Sequence, residues 1–349
     1  MPLQPVAQPV LRINLRRLIV LVAFASAVIS LLNSFHATYQ VQRQLLIDTT
    51  LEANHAYAQK LASSTENFLQ ATRQQLAYSA RLLPRHFADP AALKAEAERL
   101  RGQTNSFNSV LVVNAQGTVL AVSPETLALQ NSQLASEGAR QALRERRPLI
   151  TRPYLSSVGN LVVFISHPVF DDAGRYLGYV GGSIYLKQKN ILFTLLGQHY
   201  YRDGSYLFVV DRSRRLLYHP DPLRVGEVAG DNAVIDAILR QESGSGSTVN
   251  SKGTDMLAGY AVLPSTGWGI VAQRPTAATL EPLNQLMLNT LWHSLPIALL
   301  SLPFIWWLAR LISRPLVQLA EGASRMDAPG MAERIGGIRA WYLEAAQIK

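Results

Sequence analysis

The sequence contains no cysteine among its 349 residues, which excludes disulfides and thiolate metal sites. Its seven histidines are scattered, without the H-x-x-x-H or H-E-x-x-H spacing of zinc sites. A phosphate-binding G-x-x-x-x-G-K-S/T loop and a G-x-S-x-G nucleophile elbow are also absent from the sequence. We therefore expect no catalytic residue, no metal and no cofactor in this chain.

The sequence also lacks a cluster of basic residues that could bind nucleic acid. The net charge is +9, but the first 35 residues contribute about +3 and residues 309–349 about +2. No basic stripe with interleaved aromatic residues remains between these ends to contact a phosphate backbone. Nucleic acid is therefore not an expected partner.

Two long apolar runs account for much of the 48% hydrophobic content. They cover Leu18–Leu32 and Leu295–Ala309, and with their flanks each supplies about 18–20 residues, enough for a membrane-spanning helix. The first run is too long for a cleaved signal peptide and has no A-x-A site after it. We predict a first span at residues 18–36, and a helix that includes the second span at residues 281–309.

Basic residues flank both runs on the side away from the central region. Because Lys and Arg are retained in the cytoplasm, residues 1–17 and 310–349 are predicted to be cytoplasmic and residues 37–288 periplasmic. The chain is thus expected to be a multi-pass protein of the bacterial inner membrane, with membrane lipid as one partner. The flanking residues are Arg12, Arg16, Arg17, Arg310 and Arg314.

Proline and glycine are absent from residues 33–83, a composition typical of a long helix. Apolar and small residues recur there every three or four positions, from Leu45 to Leu69. We predict a periplasmic helix over residues 37–84. Its stripe of small residues favours pairing with a second copy in a homodimer, and packing on its own domain is the alternative.

The region after this helix contains one pattern twice. VVNAQGTVLAVSP begins at Val112 and VVDRSRRLLYHP at Val209, and each joins two valines to a polar turn and to an apolar run that ends at proline. A short helical segment and three strand-like segments follow each copy. These segments are ITRPYLS, NLVVFISHPVF and YLGYVGGSIYL in the first copy, and GSGSTVN, MLAGYAVLP and GWGIVAQRP in the second. This order predicts an α+β fold with two tandem modules, each an antiparallel sheet with helices, at residues 85–195 and 196–280.

Several of these segments resemble the double-Cache family, whose members carry tandem PAS-like modules outside the membrane. YHPDPLRVGE at Tyr218–Glu227 resembles a strand-end turn of the family's membrane-proximal module, and LAGYAVLPSTGWGIVAQRP at Leu257–Pro275 resembles its closing hairpin. The strands of residues 85–195 are similar to the pocket-forming meander of the distal module. The resemblance covers about residues 37–280 and implies a transmembrane sensor that binds a small molecule.

Two further resemblances, one in the C-terminal segment and one in the distal strands, indicate which cytoplasmic output domain such a sensor would control. RLISRPLVQLAEGASRMD at Arg310–Asp327 resembles the first helix of a HAMP linker, with Leu316, Leu319 and Ala323 in an apolar seam; an ordinary juxtamembrane helix is the alternative. The distal strands resemble those attached to GGDEF diguanylate cyclases, which implies a cyclic di-GMP output outside this chain. A chemoreceptor or histidine kinase is the alternative output, and a scaffold for a periplasmic protein is the alternative function.

Polar and aromatic residues on the distal strands predict a ligand pocket, because PAS-like sheets bind ligands against one face. Strand alternation places these residues in pairs on one side of each strand. An arginine beside two tyrosines suits a carboxylate; the alternatives are an exposed arginine and tyrosines that only pack in the core. The candidate ligand-binding residues are Arg152, Tyr154, Phe164, Ser166, Ser183 and Tyr185.

Ser183 sets a limit on the ligand. Double-Cache receptors for amino acids usually carry an aspartate at the position on the last strand that matches Ser183, where it holds the ammonium group of the ligand. A neutral serine cannot compensate a buried ammonium. We therefore expect a small anion, a neutral metabolite or no ligand, rather than an α-amino acid.

Overall fold

The structure, a computed structural model, describes residues 15–188, 190–197 and 203–323. Six α-helices, three short 3-10 helices and eleven strands lie in these ranges. The helices are α1 (Leu15–Leu82), α2 (Pro90–Gln103), α3 (Glu137–Glu145), α4 (Ile191–Leu196), α5 (Ala233–Leu239) and α6 (Thr276–Ala323). The strands are β1 (Ser109–Asn114), β2 (Val119–Ser123), β3 (Leu149–Ile150), β4 (Tyr154–Leu155), β5 (Leu161–Phe170), β6 (Tyr176–Tyr185), β7 (Tyr206–Val210), β8 (Leu216–Tyr218), β9 (Gly244–Val249), β10 (Asp255–Val262) and β11 (Gly269–Pro275).

The strands form two antiparallel sheets with the same topology. The first sheet has the order β2-β1-β6-β5-β3, with β4 also paired to β5, and the second has the order β8-β7-β11-β10-β9. In each sheet a hairpin comes first, a helix follows, and the last strand of a meander returns to pair with the first strand of the hairpin. We call β1–β6 with α2 and α3 the first module, and β7–β11 with α5 the second module. The repeated topology confirms the predicted α+β fold.

The two hairpins turn through the same kind of side-chain contact. Asn114 Oδ1 accepts hydrogen bonds from the amides two and four residues later, at 3.0 and 2.9 Å. In the second module Asp211 Oδ1 accepts from the amides at the same two positions, both at 2.8 Å. Asn and Asp open turns because their side chains replace a backbone acceptor in this way. This contact explains why the sequence pattern repeats.

Each sheet is covered on both faces. One face of each sheet shares a hydrophobic cluster with α1, whereas α3 covers the other face in the first module and α5 covers it in the second. The residues that α1 contributes to the cluster are Ala58, Leu61, Ala62, Leu69, Leu76 and Ala80. The predicted helical stripe is therefore buried from Ala58 onward, and Leu45 and Asp48 at its beginning are exposed.

The backbone of α1 approaches the second sheet closely at Gly259 in β10. A Cβ atom added there would overlap the backbone of Asn54 and His55. Asn54 Nδ2 donates to the carbonyl of Leu257 at 2.8 Å, and His55 Nδ1 lies 3.2 Å from the carbonyl of Tyr260. Glycine at this position therefore lets the helix backbone pack directly on the strand backbone.

The predicted strand ITRPYLS is interrupted in the structure. It forms two short pieces, β3 and β4, separated by Thr151, Arg152 and Pro153. Thr151 still bonds to β5, since its amide donates to the Phe164 carbonyl and its hydroxyl accepts from the Phe164 amide, both at 2.9 Å. Pro153 has no amide hydrogen with which to continue the ladder. The side chains of this segment therefore do not alternate between the two faces of the sheet as the sequence predicts.

Both α1 and α6 contain a stretch with the length and composition of a membrane span. The most hydrophobic 18 residues have a mean hydropathy of 2.3 in the first helix and 1.8 in the second, and 0% and 6% of these residues are buried. The predicted connector over residues 310–349 lies within α6 only as far as Ala323. Its apolar seam at Leu316, Leu319 and Ala323 lies outside the residues whose side chains the structure describes.

Candidate ligand-binding cavity

A small cavity lies between one face of the first sheet and the segment that leads from Leu127 into α3. Its volume is about 30 Å³, comparable with the share of liquid volume that one water molecule takes. Residues of β1, β4, β5 and β6 line it on the side of the sheet, and α3 contributes Ala139 on the other side. The lining residues are Ser109, Leu111, Leu127, Leu129, Leu134, Ser136, Ala139, Tyr154, Ser156, Ser157, Val158, Phe164, Tyr179, Ser183 and Tyr185.

Four of the six predicted ligand-binding residues line this cavity. The strand register brings them together, because Phe164 pairs with Ser183, and Val162 pairs with both Tyr154 and Tyr185. All four side chains are buried. Pairing across three strands therefore collects residues that lie up to 31 positions apart, from Tyr154 to Tyr185, at one place on the sheet.

Arg152 and Ser166 are not among the lining residues. Arg152 is exposed and lies at the break between β3 and β4. Ser166 is 2% exposed and lies two positions beyond Phe164 on β5, where it pairs with Leu149 and Gly181. Among the described residues that line the cavity, no arginine is therefore present to bind a carboxylate.

Tyr179 lines the cavity and was not singled out in the sequence. It lies on β6 four residues before Ser183, so it points to the same face of the sheet; continuing the alternation back from Ser183 would have identified it. Its side chain is 1% exposed, and its ring packs edge-on against Phe164 with 5.9 Å between ring centroids. In the described part of the chain, its hydroxyl has no hydrogen-bond partner. A buried hydroxyl without a partner is destabilising by about 1–3 kcal/mol.

Tyr154 and Tyr179 are neutral at physiological pH, because burial raises the pKa of both hydroxyls. Burial raises the pKa of Tyr154 to about 12, against the opposing effect of a hydrogen bond with the Ser136 side chain. Burial also raises the pKa of Tyr179. None of the described side chains that line the cavity is charged. Because an isolated charge is costly to bury, the cavity suits a neutral group that donates to or accepts from hydroxyls.

The cavity has to widen to admit a metabolite, since ligand pockets commonly measure about 300–1,000 Å³. The segment 127–136 covers it and supplies four of its lining side chains. Backbone hydrogen bonds tie this segment to the first hairpin: the Val119 amide donates to Ser132 and the Leu134 amide donates to Gly117, both at 3.0 Å. Connecting segments of this kind are the parts of binding sites that rearrange when a ligand enters.

Comparisons with known proteins bear on the family of this chain. Residues 38–283 match the sequence profile of a family described as Cache domain. None of the curated proteins matches the chain in sequence. Among solved structures, the ligand binding domain of Mlp24 with asparagine is similar at 19% identity and a TM-score of 0.51, over 70% of this chain and 99% of that chain.

Two further structures share this fold. The ligand binding domain of the amino acid chemoreceptor PctB of Pseudomonas aeruginosa PAO1, in complex with L-Gln, is 20% identical with a TM-score of 0.50, over 70% of this chain and 98% of that chain. An extracellular ligand binding receptor from Desulfohalobium retbaense DSM5692 is 17% identical with a TM-score of 0.50. That match covers 62% of this chain but 39% of the receptor, so this chain spans well under half of the receptor's length. At these identities the likeness shows the fold alone.

Proposed function

Because this chain belongs to the Cache domain family, we propose that it is the sensor region of a membrane receptor whose first module binds a small neutral polar molecule. The observation that carries the ligand proposal is the hydroxyl of Tyr179, which is buried at the cavity and has no partner among the described residues. A ligand group that hydrogen-bonds to this hydroxyl recovers the lost interaction. The residues proposed to bind the ligand are Tyr154, Phe164, Tyr179, Ser183 and Tyr185.

The proposed ligand differs from the amino acids in the structures of PctB and Mlp24. An α-amino acid carries an ammonium and a carboxylate, and each needs an opposite charge when it is buried. Ser183 is neutral, and Arg152 lies away from the cavity. Of the ligands expected from the sequence, the neutral metabolite is therefore the one that the described lining residues support.

Ligand-induced stabilisation of the whole chain in detergent micelles tests this proposal. From a panel of polyols, sugars, amides and amino acids, we expect a neutral polar compound to raise the melting temperature, as any ligand does that binds only the folded state. Tyr179→Phe removes only the hydroxyl, so it should abolish most of this increase. The ligand-free variant should melt at the same or a higher temperature, because an unpartnered buried hydroxyl has been removed.

Tyr260→Phe is the matched control, because Tyr260 lies in β10 of the second module and does not line the cavity. This variant should keep the full ligand-induced increase. An increase that survives Tyr179→Phe unchanged would show that the ligand binds elsewhere. A panel in which only α-amino acids bind would contradict the neutral-ligand proposal.

The proposal includes a topology. We propose that α1 and α6 each cross the bacterial inner membrane once, with residues 37–288 in the periplasm and both ends of the chain in the cytoplasm. The mean hydropathies of 2.3 and 1.8 and the basic flanks of both runs support this topology. Ligand binding then signals by shifting or rotating the helices that enter the membrane.

We also propose a homodimer that forms through the exposed surface of α1. Val41 and Leu45 support it, since they are apolar residues of α1 with exposed fractions of 65% and 56%. Exposed apolar side chains at helical spacing are available to a second helix.

For the output, we propose a GGDEF diguanylate cyclase, because the strands of the first module resemble those attached to such enzymes. A chemoreceptor output is the second candidate, favoured by the fold shared with PctB, and a histidine kinase is the third. The full coding sequence of the gene distinguishes the three outputs. A GGDEF motif supports the first, a long methyl-accepting coiled coil the second, and a phosphoacceptor histidine helix the third.

A further inference from the structure

The second module contains a cavity of its own, of a different character. It lies between the second sheet and α5 and has a volume of about 110 Å³. Its polar lining includes His219, Arg224 and Gln273, and its apolar lining includes Phe208 and Ile235. Unlike the cavity of the first module, it therefore combines a guanidinium group with an apolar surface.

His219 presents a hydrogen-bond donor to this cavity. We assign Nδ1 of His219 as an acceptor, because the amide of Asp221 donates to it at 3.0 Å, whereas the carbonyl of Asp221 lies farther away, at 3.3 Å. Burial and the nearby Arg224 lower the pKa of His219, so the ring is neutral at physiological pH. A neutral imidazole with an acceptor at Nδ1 carries its hydrogen on Nε2. His219 is 9% exposed, so this donor has little access to bulk water.

Arg224 brings a second donor to the same point. Its Nη1 lies 3.3 Å from His219 Nε2 and donates to Ser251 Oγ at 2.9 Å. In the tautomer assigned above, two N–H donors face each other, and neither can accept from the other. Nε of Arg224 contacts Glu227 at 3.2 Å, and Nη2 has no hydrogen-bond partner among the described residues. An acceptor with negative charge would satisfy His219 Nε2 and the guanidinium together.

The carboxylates of Asp231 and Glu227 do not take the place of a negatively charged ligand group next to His219 and Arg224. Asp231 lines the cavity, but its carboxylate is fully exposed and contacts Arg214 at 3.4 Å. Glu227 is about half exposed and engages only the Nε side of Arg224. Gln273 is 3% exposed and, together with Asn250, hydrogen-bonds the Tyr206 hydroxyl. Among the described residues, none of these side chains therefore hydrogen-bonds to Nη2 of Arg224.

We propose that this cavity is a second ligand site, which binds a short-chain monocarboxylate. The carboxylate accepts from His219 Nε2 and the Arg224 guanidinium, and the alkyl group contacts Phe208 and Ile235. The volume of the cavity suits such a ligand. It is about 110 Å³, which is roughly four times the volume per water molecule in liquid water. Acetate and propionate are of this size. One cation and an apolar wall suit a monocarboxylate better than phosphate, which carries more charge and no apolar part.

Binding to the whole chain in detergent micelles tests the site, with acetate, propionate and inorganic phosphate titrated at constant ionic strength. We expect propionate to bind, and at about 100 times its Kd to raise the melting temperature by about 5 °C. Arg224→Gln should weaken binding at least tenfold. Arg224→Lys keeps the positive charge but loses the forked geometry of the guanidinium, so it should weaken propionate binding several-fold. If Arg224→Gln does not fold, the Arg224→Lys variant alone tests whether Arg224 binds the carboxylate.

Two matched variants locate the binding. Arg240→Gln changes an exposed arginine of the same module that pairs with Glu242 and does not line the cavity, so it should bind like the unmodified chain. Tyr179→Phe alters the cavity of the first module and should also leave propionate binding unchanged. Binding that is kept in both Arg224 variants, or lost in Tyr179→Phe, overturns the proposal. Binding of phosphate alone, or of none of the three anions up to about 10 mM, overturns it as well.

Discussion

At the scale of single residues, Gly138 and Tyr154 define the first-module cavity. Gly138 lies in α3, and a Cβ atom added to it would overlap the Tyr154 hydroxyl and ring. Tyr154 is buried and hydrogen-bonded to Ser136, so a shift away from Gly138 would disturb this bond and the packing around the ring. The absence of a side chain at one helix position is what allows the tyrosine to reach the cavity.

We predict that Gly138→Ala destabilises the fold by about 1–3 kcal/mol, the usual cost of overpacking a core. Thermal unfolding of the whole chain in detergent should show the effect as a lower melting temperature. Gly102→Ala is the matched control, because Gly102 lies in α2 and a Cβ atom there meets nothing within 4 Å. That change should be neutral or stabilising by up to about 1 kcal/mol. Equal effects of the two substitutions would mean that Tyr154 does not pack on Gly138.

At the scale of elements, α1 is the scaffold for both modules, since one face of each sheet shares its hydrophobic cluster. Leu76 is fully buried in that cluster, whereas Leu82 in the last turn of α1 is 41% exposed. Both leucines lie on the same helix and have the same helix propensity. The contrast between them therefore isolates the contribution of packing from that of helix formation.

We predict that Leu76→Ala destabilises the fold by about 2–5 kcal/mol, through lost burial and the cavity left behind. Leu82→Ala should change stability by less than about 1 kcal/mol. The melting temperatures of the two variants, measured side by side, check this difference. Similar losses in both would indicate that the stripe from Ala58 onward is not the face of α1 that packs on the sheets.

At the scale of the whole molecule, the proposed topology places the modules outside the cell membrane. Because the chain has no cysteine, a single introduced thiol reports on one position only. We predict that Leu155→Cys, at a site 68% exposed in the first module, reacts with a membrane-impermeant maleimide in spheroplasts. Val317→Cys, at an exposed site in α6, should react only after the membrane is permeabilised. The reverse pattern of labelling would exclude a periplasmic sensor.

The same cysteine-free background tests the homodimer. A disulfide between two copies forms only where their Cα atoms come within about 7 Å, so cysteines placed along paired α1 helices should cross-link in oxidised membranes. We expect a covalent dimer from at least one of Val41→Cys, Leu45→Cys and Asp48→Cys, and none from Leu155→Cys. Absence of the dimer from all three α1 variants would argue that α1 serves its own domain alone.

Local features were predictable from the sequence because they depend on neighbouring residues. The long helix predicted over residues 37–84 follows from the absence of proline and glycine over residues 33–83, and in the structure it is part of α1, which ends at Leu82. Asn114 and Asp211 open equivalent turns through bonds to their own backbone. The interruption at Pro153 was also visible in principle, since proline cannot continue a ladder. Strand alternation continued through Pro153 predicts that Arg152 faces the pocket, whereas the break between β3 and β4 leaves Arg152 outside the lining residues.

The amino-acid order alone thus determined the helices, the hairpins, the twofold repeat and the apolar runs, since each arises within a few turns or strands of the chain. Only the tertiary structure decided which side chains meet. Within the described residues it left the buried Tyr179 hydroxyl without a hydrogen-bond partner, and it brought Arg224 Nη1 to 3.3 Å from His219 Nε2. Such relations depend on strand register and on the depth of burial, and both are fixed by packing between segments far apart in the chain.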